Sequence, residues 1–167
     1  IDVNTTCDEV SNAGTGIFTL ANGVTLTANV THKSTTTSRN CLQFTAASPA
    51  VGTIVGNCTG GTVSGAVAVA FTSTGTLTIT GNLLGGSAAS AHACTVSSTG
   101  SLNLTGNATG GSAASCYGIN GTGNSNILMT GNALGGSGTT AVGLLLSNST
   151  NAVSITGNAT GGTNTTA

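Results

Sequence analysis

Thr105-Gly106-Asn107-Ala108-Thr109-Gly110-Gly111 is one copy of a pattern, T-G-N-x-x-G-G, that recurs along the chain. The other copies have their first Gly at Gly56, Gly81, Gly131 and Gly157, and only the earliest lacks the leading Thr, having Val55 instead. Successive windows run GNCTGGTVSGAVAVAFTSTGTLTIT, GNLLGGSAASAHACTVSSTGSLNLT, GNATGGSAASCYGINGTGNSNILMT and GNALGGSGTTAVGLLLSNSTNAVSIT, the first three equal in length and the last longer by a single insertion. A fixed period in this range marks a solenoid or an array.

The residue types choose the kind of solenoid. Gly, Thr, Ser, Asn and Val are poor helix formers, and Thr76-Leu77-Thr78-Ile79-Thr80 and Ser101-Leu102-Asn103-Leu104-Thr105 alternate apolar with polar at period two. That alternation predicts half-buried strands. Apolar columns recur at Leu77, Leu102 and Ile127, and at Ile79, Leu104, Met129 and Ile155. A second strand in each unit aligns Val69, Cys94, Ile119 and Leu144, then Phe71, Val96, Gly121 and Leu146. Gly-Gly and Gly-Asn corners separate the strands, since both residues tolerate the positive backbone angles of sharp turns. The expected fold is all-β, a parallel β-solenoid with one coil per repeat of about 25 residues.

The stack extends upstream of the clear repeat. Counting back one repeat from Gly56 reaches Thr31 and places Cys41-Leu42-Gln43-Phe44 over Ala66-Val67-Ala68-Val69, and Val24-Thr25-Leu26-Thr27-Ala28 reads as the strand of an earlier coil. Residues 1–22 hold all three acids, Asp2, Asp8 and Glu9. They are expected to be a polar N-terminal cap, with coils over 23–167 and a last coil left incomplete after Gly157. The absence of an initiator Met suggests a processed product or a window of a longer array, and no apolar run reaches the length of a membrane span.

Charge narrows the function classes. Lys, Arg, Asp and Glu make up 3% of the chain, the net charge is -1, and from Gly56 onward there are none. Lys33 and Arg39 are the only Lys or Arg residues, too few to track a phosphate backbone, and binding to anionic membranes fails on the same count. So neutral a surface forgoes the self-repulsion that keeps ordinary domains apart, which suits a packed assembly. The 38% hydrophobic content, held in register, argues against disorder.

No enzyme chemistry, cofactor or metal is expected. The coils offer no carboxylate for acid–base work. His92 falls in the column of Val67, Tyr117 and Val142 with no acid to orient it, and reads as structural or surface. The glycine motif lacks the Lys of a phosphate loop. Cys7, Cys41, Cys58, Cys94 and Cys116 are odd in number and form no metal-ligand pattern. They are expected to behave as small buried hydrophobes, with a Cys7–Cys41 staple as an alternative.

Three surface features are candidates. Asn57, Asn82, Asn107, Asn132 and Asn158 are expected to stack as an amide ladder at one corner; the sequons that start at Asn57, Asn107 and Asn158 follow from composition. Ala66, Ala68, Ala91, Ala93, Cys116, Gly118, Ala141 and Gly143 alternate with the second strand's apolar columns. They are expected to point outward as a flat packing face on which Ala93→Lys and Gly118→Lys would leave the fold intact. Thr80, Thr105, Thr130 and Thr156 form a Thr column that invites an ice-binding reading as a distant alternative, although the neighbouring column of Thr78, Asn103, Leu128 and Ser154 breaks the lattice.

The TGNxxGG coils, with GGSAAS and TGSLNLTGN, resemble the Gly/Asn/Thr-rich β-helix repeats of phage virion proteins (tail fibres, tail-spike shafts and capsid decorations) and of secreted bacterial adhesins. The resemblance covers the chain from about Thr31 onward. It implies a structural element located in a virion or outside the cell, often homo-oligomeric, with other structural chains as partners and any cell-surface or glycan receptor met outside this segment. The alternative is an adhesin or carbohydrate-binding solenoid, which exposed aromatic rings would favour; the chain offers only Phe18, Phe44, Phe71 and Tyr117.

Overall fold

Strands form where Val, Leu, Ile and Phe alternate with Thr and Ser, and they end at the glycine corners. The computed structural model describes residues 1, 3–12, 17–33, 35, 40–46, 50–97, 99–147 and 152–163. It is a parallel β-solenoid of about five coils, with no helix among the described residues. The chain opens with β1 (Thr5–Asn12), β2 (Phe18–Leu20), β3 (Val24–His32) and β4 (Leu42–Phe44). Each repeat then supplies a long, a very short and a short strand. These are β5 (Val51–Val55), β6 (Cys58–Thr59) and β7 (Val69–Phe71); β8 (Thr76–Thr80), β9 (Leu83–Leu84) and β10 (Cys94–Val96); β11 (Ser101–Thr105), β12 (Ala108–Thr109) and β13 (Ile119–Gly121); and β14 (Asn126–Thr130), β15 (Ala133–Leu134) and β16 (Leu144–Leu146). β17 (Val153–Thr156) and β18 (Ala159–Thr160) follow.

All pairing is parallel and joins each strand to its equivalent in the adjacent coil. The three-residue strands stack in one sheet, β16-β13-β10-β7-β4-β2. The other sheet branches at β3: its first half carries β5, β8, β11, β14 and β17, while its second half carries β6, β9, β12, β15 and β18. One long strand therefore splits into two columns at the Gly-Asn corner.

The register follows the sequence repeat from β5 through β14: Val51 pairs with Thr76, Thr76 with Ser101 and Ser101 with Asn126. Ile127 pairs with Val153, one position beyond that frame. Because Ile119 still pairs with Leu144 in the regular frame, the extra residue lies between Leu146 and Val153. Upstream the spacing is uneven, shorter than the repeat from β1 to β3 and from β2 to β4 and longer from β3 to β5 and from β4 to β7. Val24 pairs with Gly52 and Leu42 with Val69, so Phe44 overlies Phe71 and not Val69. The uniform frame is thus out of step there, because a longer corner precedes β5. The two Phe rings stack with centroids 6.1 Å apart and fill the coil beside Gly52, where a Cβ would come within 2.8 Å of Phe44.

Residues 1–22, the expected cap, contribute a strand to each sheet. β1 pairs with β3, with a bulge between Thr6 and Glu9, and β2 pairs with β4. Asp2 lies outside the described residues, as does the side chain of Asp8.

The core is one continuous cluster running the length of the stack, from Leu20 and Leu26 through Phe71, Leu77 and Leu104 to Met129. Its outer wall depends on the glycine corners. The Gly of each T-G-N, such as Gly106 at φ +140, adopts an angle that side chains avoid, and a Cβ there would collide with the carbonyl of Gly81 in the preceding coil. Elsewhere φ is positive without glycine: Ser90, Ser115 and Thr140 occupy the left-handed region in the column that begins with Gly65.

Two substitutions separate these cases. Gly106→Ala should destabilise the chain by about 3 kcal/mol or more, since it meets both a forbidden angle and a backbone atom. Ser90→Gly should stabilise it by about 0.5–1 kcal/mol by relieving a left-handed residue. Denaturant midpoints at neutral pH measure both.

Candidate functional site

The Gly-Asn corner carries a side-chain ladder along the axis. The Oδ1 of Asn57 accepts the backbone N–H of Asn82 at 2.8 Å, Asn82 accepts that of Asn107 at 3.0 Å, Asn107 that of Asn132 at 2.9 Å, and Asn132 that of Asn158 at 3.0 Å. Some rungs add an amide–amide bond, as from the Nδ2 of Asn132 to Asn107. A further rung lies upstream, where Asn29 accepts from Asn57 at 3.0 Å. The coil between them is longer than the repeat, so a count at the repeat's own period passes over Asn29. Each Asn satisfies a main-chain donor that the corner withdraws from the strand ladder.

The small-residue face is inside the solenoid. Ala66, Ala68, Ala91 and Ala93 are 0% exposed, Cys116 is also buried, Ala141 is 5% exposed, and Gly118 and Gly143 are buried. Strand parity does not reach these positions, because the strand spans only Val69–Phe71 and the preceding residues turn. The Ala66 N–H donates to the carbonyl of Val63, and the Gly61 N–H donates to that of Ala66. The turn points the small residues at the opposite wall: a Cβ on Gly118 would lie 2.5 Å from the Gly143 carbonyl oxygen and 2.6 Å from that of Ala108. The expectation that Lys is tolerated at 93 and 118 is therefore overturned.

Two other surfaces face solvent. Strands β8, β11, β14 and β17 present Thr80, Thr105, Thr130 and Thr156, all exposed, beside a column in which Leu128 is 52% exposed. Val51 and Val55 extend the same face at 47% and 39% exposure. Around the corner, a groove of about 800 Å³ runs along the coils. Thr59, Leu84, Thr109, Leu134 and Thr160 line one side, Thr62, Ser87, Ser112, Ser137 and Thr163 the other, and the Gly-Gly pairs lie between. The groove contains no charge and no ring.

Both histidines and four of the five cysteines are buried. All five cysteines are free, and only Cys7 is exposed. Burial pushes the thiols of Cys58 and Cys94 up to about 12 and raises that of Cys41 further, so these three stay protonated at neutral pH. His92 is 7% exposed and its ring stacks on Tyr117 of the next coil, centroids 4.8 Å apart. Its Nδ1 accepts the Tyr117 backbone N–H at 3.0 Å. His32 is buried with neither ring nitrogen hydrogen-bonded. Among the described residues, no three His, Cys, Asp or Glu side chains group closely enough to hold a metal ion. The ion pair of Glu9 with Lys33, at 3.1 Å, lies about half exposed between β1 and the end of β3, where such pairs contribute little.

No family model, no curated protein and no solved structure matches this chain.

The ladder and the interior small residues are separable by mutation. Asn107→Ala should cost about 1–2 kcal/mol by leaving the Asn132 N–H without its acceptor. Gly118→Ala should cost more than that, and Gly118→Lys should abolish cooperative unfolding. Circular dichroism melts of the three variants decide the order.

Proposed function

We propose that this chain is a non-enzymatic structural element of an extracellular or virion assembly, a stiff β-solenoid of the kind found in phage fibres, spikes or decorations, packed against copies of itself. The observation that carries this reading is the outer face of the five-residue strands. It is uncharged, threonine-rich and studded with the exposed apolar side chains Val51, Val55 and Leu128. Parallel strands hold its columns about 4.8 Å apart, so side chains repeat at fixed spacing along a surface that a second regular sheet can meet. Association through such a face costs little ordering entropy, because Thr and Val have few rotamers to lose.

Two further observations support a scaffold over a carbohydrate-binding solenoid. Phe44 and Phe71 are fully buried, and Tyr117 is stacked on His92, so these rings offer no stacking platform. The longitudinal groove likewise contains no aromatic residue.

Val55→Lys and Leu128→Lys, made together, test the reading. Both positions point outward, so the melting temperature should change little, while the mass measured by sedimentation at micromolar concentration should fall from oligomer toward monomer. A wild-type chain that is monomeric throughout, or a doubly substituted chain that associates as the wild type does, would overturn the proposal.

A further inference from the structure

The chain has so few ionisable groups that its response to mild acid narrows to two side chains. Its carboxylates are Asp2, Asp8 and Glu9, against two histidines. Between pH 7 and pH 5 ordinary carboxylates, with values near 4, stay ionised, and imidazole is the side chain that changes charge.

His92 is placed where that change matters. Its Nδ1 accepts the backbone N–H of Tyr117 in the next coil at 3.0 Å, and the two rings lie flat against each other at an interplanar angle of 5°. Only an imidazole that is unprotonated at Nδ1 can make this bond. A proton there sets one donor against another, in a site that is 7% exposed. The next coil brings Tyr117 and Cys116 to the histidine, the preceding coil brings Val67, and its own coil brings the Gly85 backbone. None of these carries a charge that would stabilise an imidazolium.

We propose that His92 is an acid-sensitive clamp between successive coils, closed when neutral and opened by protonation, with His32 as a second buried site acting in the same direction. His32 is 3% exposed beneath Gly61, and neither of its nitrogens is hydrogen-bonded. β6 brings the neutral thiol of Cys58 to its strand, and β1 sets Asn12 opposite His32 and Glu9 opposite Asn29, Glu9 being paired with Lys33. Desolvation by burial lowers the proton affinity of both histidines in the folded chain. The unfolded chain therefore binds more protons once the pH falls below about 6.5, and stability, full above that value, declines as the pH falls.

Equilibrium unfolding of the full chain at pH 7.0 and pH 5.0 tests the clamp. The folding constant should drop by up to about 25-fold for each histidine that stays neutral in the folded state at pH 5.0. His92→Asn puts an amide oxygen where Nδ1 accepts, without a group that titrates in this range, and should remove one histidine's share of the drop. If that variant does not fold, His92→Val makes the same test with the residue found at Val67 and Val142 of the same column. An imidazole nitrogen NMR titration of the wild type should show the Nε2–H tautomer of His92 at neutral pH and a midpoint below about 6.5. Wild-type stability that does not fall between the two pH values, a His92 midpoint at or above that ordinary value, or a variant that keeps the full acid loss would overturn the proposal.

Discussion

Parallel backbone pairing between consecutive coils is the constraint on which the rest of this structure depends. Each coil must lie about 4.8 Å from the next along its whole contour, corners included. At the corners no strand geometry keeps side chains out of the way. The Gly of T-G-N passes against the carbonyl of the preceding coil with no room for a Cβ, and the G-G pairs are hemmed in by backbone atoms of their own and neighbouring coils. The Asn that follows the first Gly returns the hydrogen bond that the corner gives up, its Oδ1 accepting the next coil's N–H. The repeated motif is thus the chemical consequence of stacking at its tightest point.

The same constraint shapes the interior. A solenoid core is a column, so a residue too large in one coil must be offset by its neighbours in the same layer or across it. Gly52 makes room for the Phe44 ring, and Gly118 lies against the Ala108 carbonyl where the coil is narrow. Polar groups in the interior need partners, and His92 finds one in the Tyr117 N–H. His32 finds none, which makes it the least satisfied buried group among the described residues.

Much of this is legible in the sequence. The strand columns at Leu77, Leu102 and Ile127 and at Val69, Cys94 and Ile119 pair as their spacing requires, because a parallel solenoid maps sequence period directly onto spatial neighbour. Legibility ends where period or parity lapses. The spans from β3 to β5 and from β4 to β7 are longer than the repeat, so a uniform frame matches Phe44 to Val69 and passes over the Asn29 rung, although the repeated Phe at 44 and 71 is an available signal. Alternation carried past the end of a three-residue strand into a turn puts Ala66, Ala68, Ala91 and Ala93 on the outside, whereas the turn directs them inward.

The sequence by itself determined the coil: its length, its strand columns, the glycines its corners require and the near absence of charge. These are local or periodic properties, and a one-dimensional stack of like units preserves them. Only the tertiary structure decided which small residues face the core, that Val51, Val55 and Leu128 are exposed on one face, and that His92 clasps the coil beyond it. Those outcomes depend on how the backbone turns between strands, and a turn directs its side chains by the three-dimensional path of the whole coil, with no period from which to read them.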